Sequence, residues 1–377
     1  MTTTSDAIVI GGGLHGLSAA LQLTRRGLMV VLLERQFVGR HSSGASAAGV
    51  RTLGRAPEEL PLSLVAMKMW HEIAGLVGDD CGFHANGQLH VAETEAELTR
   101  LRDRAAKRES EGFFTERMID RADLHEIVPT IASHCLGAAY APLDGAADPH
   151  RTLTAYYKSC TDEGVTVCEG CAVTSIRHWG TLWQVRTESE NFEAPLLVNA
   201  AGAWAAEIAA MCGDIIPLDT KASMMIVTER VGPFILPTVG SLERQLSFKQ
   251  TTQGTLLIGG GRQGRPDLDR EEAVVDTMGL AHAAAATVAL FPSTGHLRVV
   301  RSWAGLEAKT ADNISVVGLS PNTPGLMHLF GFSGHGFQLV PAAGVVAAEL
   351  LVNGHTAIDL SGLSPARLMV EPVRRAV

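Results

Sequence analysis

Cysteine, positive charge and long apolar runs are all scarce in this chain. Six cysteines in 377 residues, at 81, 135, 160, 168, 171 and 212, do not make a disulfide framework. Two of them form Cys168-Glu169-Gly170-Cys171, but no second pair of Cys or His ligands stands at matching spacing. No metal site is therefore expected. Lys and Arg total 31 against 40 Asp and Glu, a formal net charge of -9. That balance argues against nucleic acid as a partner, since phosphate binding needs a basic face. No uncharged apolar run approaches the ~18 residues of a membrane span. The opening MTTTSDA lacks a basic segment followed by an apolar one, so no secretory signal is expected and a cytoplasmic location follows as an expectation.

What remains is an ordinary globular composition, 46% hydrophobic and 19% charged, on a chain long enough for two domains. Its most specific signal lies in the first 35 residues. Ala7-Ile8-Val9-Ile10 reads as a buried parallel strand, followed by the turn Gly11-Gly12-Gly13-Leu14-His15-Gly16, a helix, and a second apolar strand, Val30–Leu33, ending at Glu34. Gly11 permits the tight turn, Gly13 lets backbone approach a pyrophosphate, and Gly16 lets the helix pack on the strand. The helix N-terminus attracts phosphate charge. Glu34 stands 18 residues after Gly16, where an acid can accept hydrogen bonds from a ribose diol. A dinucleotide site follows, with NAD and FAD both open at this point.

Downstream, His41-Ser42-Ser43-Gly44-Ala45-Ser46-Ala47-Ala48-Gly49 is dense in small residues that allow close approach to a flat ligand, and its Ala-rich half reads as a helix start. Helices are predicted over about 61–76, with Met67, Trp70 and Ile73 in the core, then over 93–110, 151–163 and 274–290. Strands near 165–168 and 172–177, joined by the Cys-x-x-Cys turn, precede strands at 182–187 and 195–199. From 220 to 300 the texture is one of alternating strands, including Met224–Val227, Leu246–Gln250 and Thr255–Ile258, as in an antiparallel substrate domain. There is no internal repeat or low-complexity linker.

Leu326–Phe330 is again an apolar strand, running into a second glycine-rich loop, Gly331-Phe332-Ser333-Gly334-His335-Gly336-Phe337. A helix from Leu339 to Asn353 follows, with Pro341 in its first turn and Gly354 as its stop. Such a loop brings backbone amides to an aromatic ring, and the helix aims its positive end at it. A flavin edge becomes negative on taking two electrons, whereas NAD has no need of this second element. The cofactor indicated is FAD.

These pieces together resemble the FAD-dependent amine and amino-acid oxidoreductases of the D-amino-acid oxidase superfamily, over essentially the whole chain. The resemblance is carried by Gly11–Gly16 with Glu34-Arg35, by His41–Gly44, by Asp148-Pro149, and by Val198-Asn199-Ala200-Ala201-Gly202-Ala203-Trp204. Trp303-Ala304-Gly305-Leu306 and Gly331–Phe337 complete it. The chain looks most like the β-subunit type of sarcosine oxidase, hydroxyproline dehydrogenase and opine oxidase, and more distantly like D-arginine dehydrogenase. The resemblance implies an α/β fold: a Rossmann-like FAD-binding domain (1–80, 141–218 and 298–377) with an inserted antiparallel-sheet substrate domain (81–140 and 219–297). It implies FAD contacts at Gly11, Gly13, Leu14, His15 and Gly16, at Glu34 and Arg35, and at His41, Ser42, Ser43, Ala47 and Ala48. Further contacts are implied at Val173, at Ala200, Gly202 and Trp204, and at Gly334, His335, Gly336, Phe337 and Gln338.

Family chemistry is oxidation of a C–N bond: hydride leaves the carbon next to nitrogen for flavin N5, and the imine hydrolyses. The protein then mainly positions the substrate. Arg51, ten residues after His41, is the expected carboxylate anchor, as in monomeric sarcosine oxidases. The chain departs from its relatives at Glu307, where many have Arg, at Gln338, where the monomeric enzymes have Lys, and at Phe248, where D-arginine dehydrogenase has Tyr. Glu307 near the flavin favours a cationic amine, such as an imino acid or opine, or else pairs with Arg301 or Lys309. His335 either meets the ring or caps the helix. No cysteine stands at 301–310, where the monomeric enzymes tether FAD, so non-covalent FAD is expected. Small electron-transfer subunits or a second copy of the chain are possible partners. A FAD-dependent 2-hydroxy-acid dehydrogenase shares this fold and is one alternative reading; a β-type subunit acting only within a multi-subunit electron-transfer complex is the other.

Overall fold

A computed structural model describes residues 2–371; Met1 and 372–377 of the expected FAD-binding segments lie outside the described residues. The apolar tetrapeptides near the N-terminus pair as expected: Ala7–Ile10 runs parallel to Val30–Leu33 on one side and to Leu196–Asn199 on the other. The full sheet has six strands, ordered 316–319, 326–330, 196–199, 7–10, 30–33 and 166–168. All neighbours are parallel except the edge pair 316–319 and 326–330.

Alternation along these strands divides the core in two. Ala7 and Val9 face the helices Leu14–Thr24 and Gly336–Asn353, while Ile8 and Ile10 face Trp183, Val185 and Phe192 of a separate four-stranded sheet. The two helices cross so closely that a Cβ at Gly344 would lie 2.2 Å from Ser18 Oγ. Ser18 Oγ donates to the Val340 carbonyl at 2.8 Å. The helix Gly336–Asn353 is long and apolar enough to cross a membrane, but its residues 338–344 are all buried against the dinucleotide sheet.

A second, eight-stranded sheet is ordered 299–309, 219–230, 255–259, 246–250, 238–241, 88–92, 137–141 and 117–120. It is antiparallel apart from one parallel pairing, Thr238–Ser241 with Gln88–Val91. The strand Val299–Lys309, placed by sequence in the FAD-binding domain, is an edge strand of this sheet and pairs along Asp219–Thr228.

Four local expectations are corrected. The helix of 61–76 breaks at Glu72 into Leu60–His71 and Ile73–Val77, although Trp70 is fully buried as expected. Residues 41–45 form turns and 46–48 are irregular rather than a helix start; Ala48 takes a left-handed φ of 53° and leads into a short strand, Gly49–Val50. The strands flanking Cys168-x-x-Cys171 belong to different sheets, so the turn crosses between layers. The last helix begins at Gly336, which puts Pro341 in its second turn, where it has no N–H to give the Phe337 carbonyl.

Candidate active site

Between the two sheets lies a cavity of about 750 Å³, within the usual range for ligand sites. Both glycine loops open onto it. At one end the first turn is held open by Glu34, which accepts from the Gly12 N–H at 2.7 Å and the Gln36 N–H at 2.9 Å. Burial raises the Glu34 pKa, and those two N–H groups oppose the rise. Ser43 Oγ accepts from the Leu14 N–H at 2.9 Å and so ties the small-residue loop to the start of the first helix. Gly11, Gly13 and His15 line the cavity. Gly16 does not; a Cβ there would sit 1.9 Å from the Gly11 carbonyl oxygen, so its role is the helix–strand contact.

Trp204, Val173, Ala200 and Gly202 also border this end. Arg35 lies 4.7 Å over the Trp204 ring and pairs with Glu271 at 2.5 Å, which brings the hairpin loop at 268–271 across the mouth. The motif Asp148-Pro149 is explained by capping: Asp148 accepts from His150 and Arg151 N–H groups, both at 2.9 Å, and Pro149 opens the helix Pro149–Asp162.

The middle of the cavity is bounded by Ser42, Ala47 and Ala48 on one side and by Gly334, His335, Gly336 and Phe337 on the other. The last helix therefore presents its positive end to the cavity, three residues earlier than its sequence indicated. Gly305 is needed for close approach, since a Cβ there would meet Ala45 Cβ at 2.5 Å. Trp303 Nε1 donates to the Ala45 carbonyl at 3.0 Å, and Ser42 Oγ donates to the Leu306 carbonyl.

The polar groups of this wall suit FAD. Both His15 ring nitrogens are buried, with no hydrogen bond of good geometry among the described residues, and the ring stacks on Phe332 at 3.6 Å beside the Gly336 backbone. His41 Nε2 is likewise without a hydrogen bond. Burial holds His15 near a pKa of about 3 and, with Arg40 and Arg35, His41 near about 4, so both rings are neutral. Unsatisfied buried nitrogens beside a helix N-terminus and a ribose-type acid are what an extended dinucleotide would satisfy.

Arg51, Glu307 and His335 also stand on the cavity wall. Arg51 donates to the Leu53 carbonyl and forms no ion pair among the described residues. Burial, then Arg55, lower its pKa to about 10, against the pull of Asp144 and Glu59. Glu307 accepts from the Gly334 N–H and, at 3.4 Å, from Ser223 Oγ. Burial raises its pKa, and it pairs with neither Arg301 nor Lys309. His335 caps nothing with its side chain; its Nδ1 lies 3.4 Å from Glu59, and burial lowers its pKa to about 4.

Two expected site residues are corrected. Phe248 is 0% exposed and stacks on Phe291 at 4.2 Å in the far core of the second sheet. Strand alternation gives its neighbour Ser247 to the cavity instead. Gln338 is also 0% exposed; its side chain accepts from Arg55 and Ser63 and donates to the Ser63 carbonyl, away from the cavity. Sequence reasoning missed Gln88, His90, Lys221, Ser223 and Gln263 on the wall. For the first two the signal existed, since Gln-Leu-His-Val-Ala is a buried strand with polar residues at period two.

A dinucleotide sheet facing a large antiparallel sheet across this crevice defines a flavin-dependent oxidoreductase. Residues 6–350 match the profile of the FAD dependent oxidoreductase family (DAO), and the chain belongs to it. It is similar to glycine oxidase of Geobacillus kaustophilus, at 26% identity over 97% of this chain and 98% of that protein. It is also similar to sarcosine oxidase subunit beta of Rhizobium meliloti, at 26% identity over 93% of this chain and 85% of that protein. Among solved structures, L-proline dehydrogenase from P. horikoshii superposes with a TM-score of 0.90 at 26% identity, covering 97% of this chain and 98% of that one. The protein is an FAD-dependent enzyme of this family.

Proposed function

We propose that the protein oxidises the C–N bond of a carboxylated amine, with an imino acid, N-alkyl amino acid or opine as the substrate class. One observation carries this reading: Arg51 faces the cavity with no ion-pair partner among the described residues, whereas the neighbouring buried Arg55 is paired with Glu59 at 3.2 Å. An unpaired guanidinium presents a fork that matches a carboxylate. Glu307 stands on the same cavity wall, where burial raises its pKa, and its carboxyl oxygens suit a substrate whose nitrogen carries N–H groups to donate. The relatives support the class through their names, which include glycine oxidase and sarcosine oxidase subunit beta.

FAD held by Gly11, Gly13, His15 and the second glycine loop would supply the two-electron acceptor for oxidation of the C–N bond. The chain's own residues bind and orient. Arg51 fixes the carboxylate, and the Glu307 carboxyl stands beside the second glycine loop, where it accepts from the Gly334 N–H.

Arg51→Ala tests the anchor. Losing a charge-assisted pair worth roughly 1.5–3 kcal/mol or somewhat more raises KM for a carboxylated amine about 10–1000-fold. An amine lacking the carboxylate should show little change. An unchanged KM for the carboxylated substrate removes Arg51 from the site.

A further inference from the structure

The strand Gln88–Ala92 divides its side chains sharply between two environments. Leu89 and Val91, both 0% exposed, pack into the core on the far side of the second sheet with Ile119, Val239 and Phe248. Gln88 and His90 therefore project from the opposite face, and both reach the cavity that Arg51 lines. Burying two polar side chains on a strand costs free energy unless each finds a partner. The protein does not provide a full set.

Gln88 is 5% exposed, and its Oε1 is buried with no hydrogen-bond partner. His90 is fixed in one state. Arg104 Nη1 lies 3.2 Å from its Nδ1, and Arg104 is itself clamped by Glu116 at 2.8 and 3.1 Å. A guanidinium has no acceptor, so Nδ1 must accept. Burial, with the Arg104 and Arg51 cations nearby, holds the ring neutral at a pKa of about 3. The single ring proton is then on Nε2, where no acceptor stands among the described residues.

The imidazole is also held in place sterically. A Cβ at Gly54 would lie 2.9 Å from its Cε1, and one at Gly240 would lie 2.9 Å from its Cδ2. Two glycines thus make room for a ring whose free N–H is left for a ligand.

We propose that Gln88 and His90 form a second recognition subsite, selecting substrates that carry a further oxygen acceptor, a carboxylate or carboxamide, on the carbon skeleton. This rests on the reading of Arg51 as anchor of the first carboxylate. His90 Nε2–H donates to the added oxygen, the Gln88 NH2 is the second donor to such an oxygen, and the unpartnered Gln88 Oε1 accepts from the N–H of a carboxamide. The nearby Arg51 and Arg104 charges make an anionic oxygen as acceptable as a neutral one.

The test is anaerobic stopped-flow reduction of the FAD-loaded enzyme with matched amines differing only at the distal group. A carboxylate, a carboxamide and a methyl at that position separate an anionic from a neutral acceptor, and both oxygen-bearing members are expected to be preferred over the methyl. The expected preference in kcat/KM is roughly 10–100-fold, the size of one hydrogen bond to a charged or strongly polar group. His90→Phe should reduce the ratio of oxygen-bearing to methyl substrate to within about threefold. Gln88→Leu, which preserves volume, gives the same readout should His90→Phe fail to load with FAD. Equal wild-type rates for all three compounds, or a preference that survives both substitutions, would overturn the subsite and leave the Arg51 reading standing. Reduction by none of the three would overturn both.

Discussion

Replacing Glu59 by Gln should destabilise the protein far more than removing any surface ion pair. Glu59 is 0% exposed and faces Arg55, 2% exposed, at 3.2 Å. Arg55 also donates to the His335 carbonyl at 2.8 Å and to Gln338 Oε1 at 3.0 Å, so the pair anchors the second glycine loop. Glu59 Oε1 in turn accepts from the Ser315 hydroxyl at 3.1 Å. Burial would raise the Glu59 pKa, but the His335 and Arg55 interactions outweigh it and hold the carboxyl at about 2 instead of 4.5. That difference corresponds to about 3 kcal/mol, the low end of the ~3–5 kcal/mol expected when one partner of a buried pair is removed. In a chain of 377 residues, at ~2.1 cal/mol/K of unfolding entropy per residue, thermal unfolding of the FAD-saturated protein should move down by about 4 °C. Because the folded pKa is depressed, the contribution is present above pH 4.5 and is lost as pH falls toward 2. The gap between wild type and Glu59→Gln should close over that window. Asp162→Asn, which removes a pair with Lys158 at 59% and 73% exposure, should change stability by less than about 0.5 kcal/mol. Equal Tm values for Glu59→Gln and wild type at pH 7 would refute the reasoning.

Gly344→Ala should force the two core helices apart, because its Cβ would meet Ser18 backbone atoms at 2.6 Å. A loss of about 1–3 kcal/mol or more in urea unfolding is expected, and an unchanged midpoint would contradict the packing described. Lys249 donates to the Ala47 carbonyl, and burial, partly offset by Asp148, lowers its pKa from 10.5 to about 8. Its charged form is thus disfavoured in the fold, a cost fully present below pH 8 and relieved as pH rises to 10.5. Relative to Lys249→Met, wild-type unfolding free energy should rise by about 3 kcal/mol across that window; parallel curves would exclude the effect.

The dinucleotide half of the fold was legible because its signals are local. Gly11, Gly16 and Glu34 act through turns and contacts within one strand–helix–strand unit, and each does what its residue type requires. The link between residues 11–16 and 331–337 was also readable, since both loops are short and glycine-rich. Orientation on the second sheet was not. Whether Ser247 or Phe248 meets the cavity depends on which face of a strand is buried, and that is fixed by helix Thr277–Leu290 packing from a distant segment. Gln338 was misplaced for a related reason: a helix starting at Gly336 rotates that side chain toward Arg55 and Ser63. The Arg51 environment rests on Arg55, Glu59 and Asp144, whose burial no short motif announces.

The most direct test of the central claim is anaerobic titration of the FAD-loaded enzyme with carboxylated secondary amines and with the matching 2-hydroxy acids. The account predicts bleaching of the flavin band near ~450 nm by the amines alone, with one substrate consumed per flavin reduced. Bleaching by the hydroxy acids and not by the amines would contradict it.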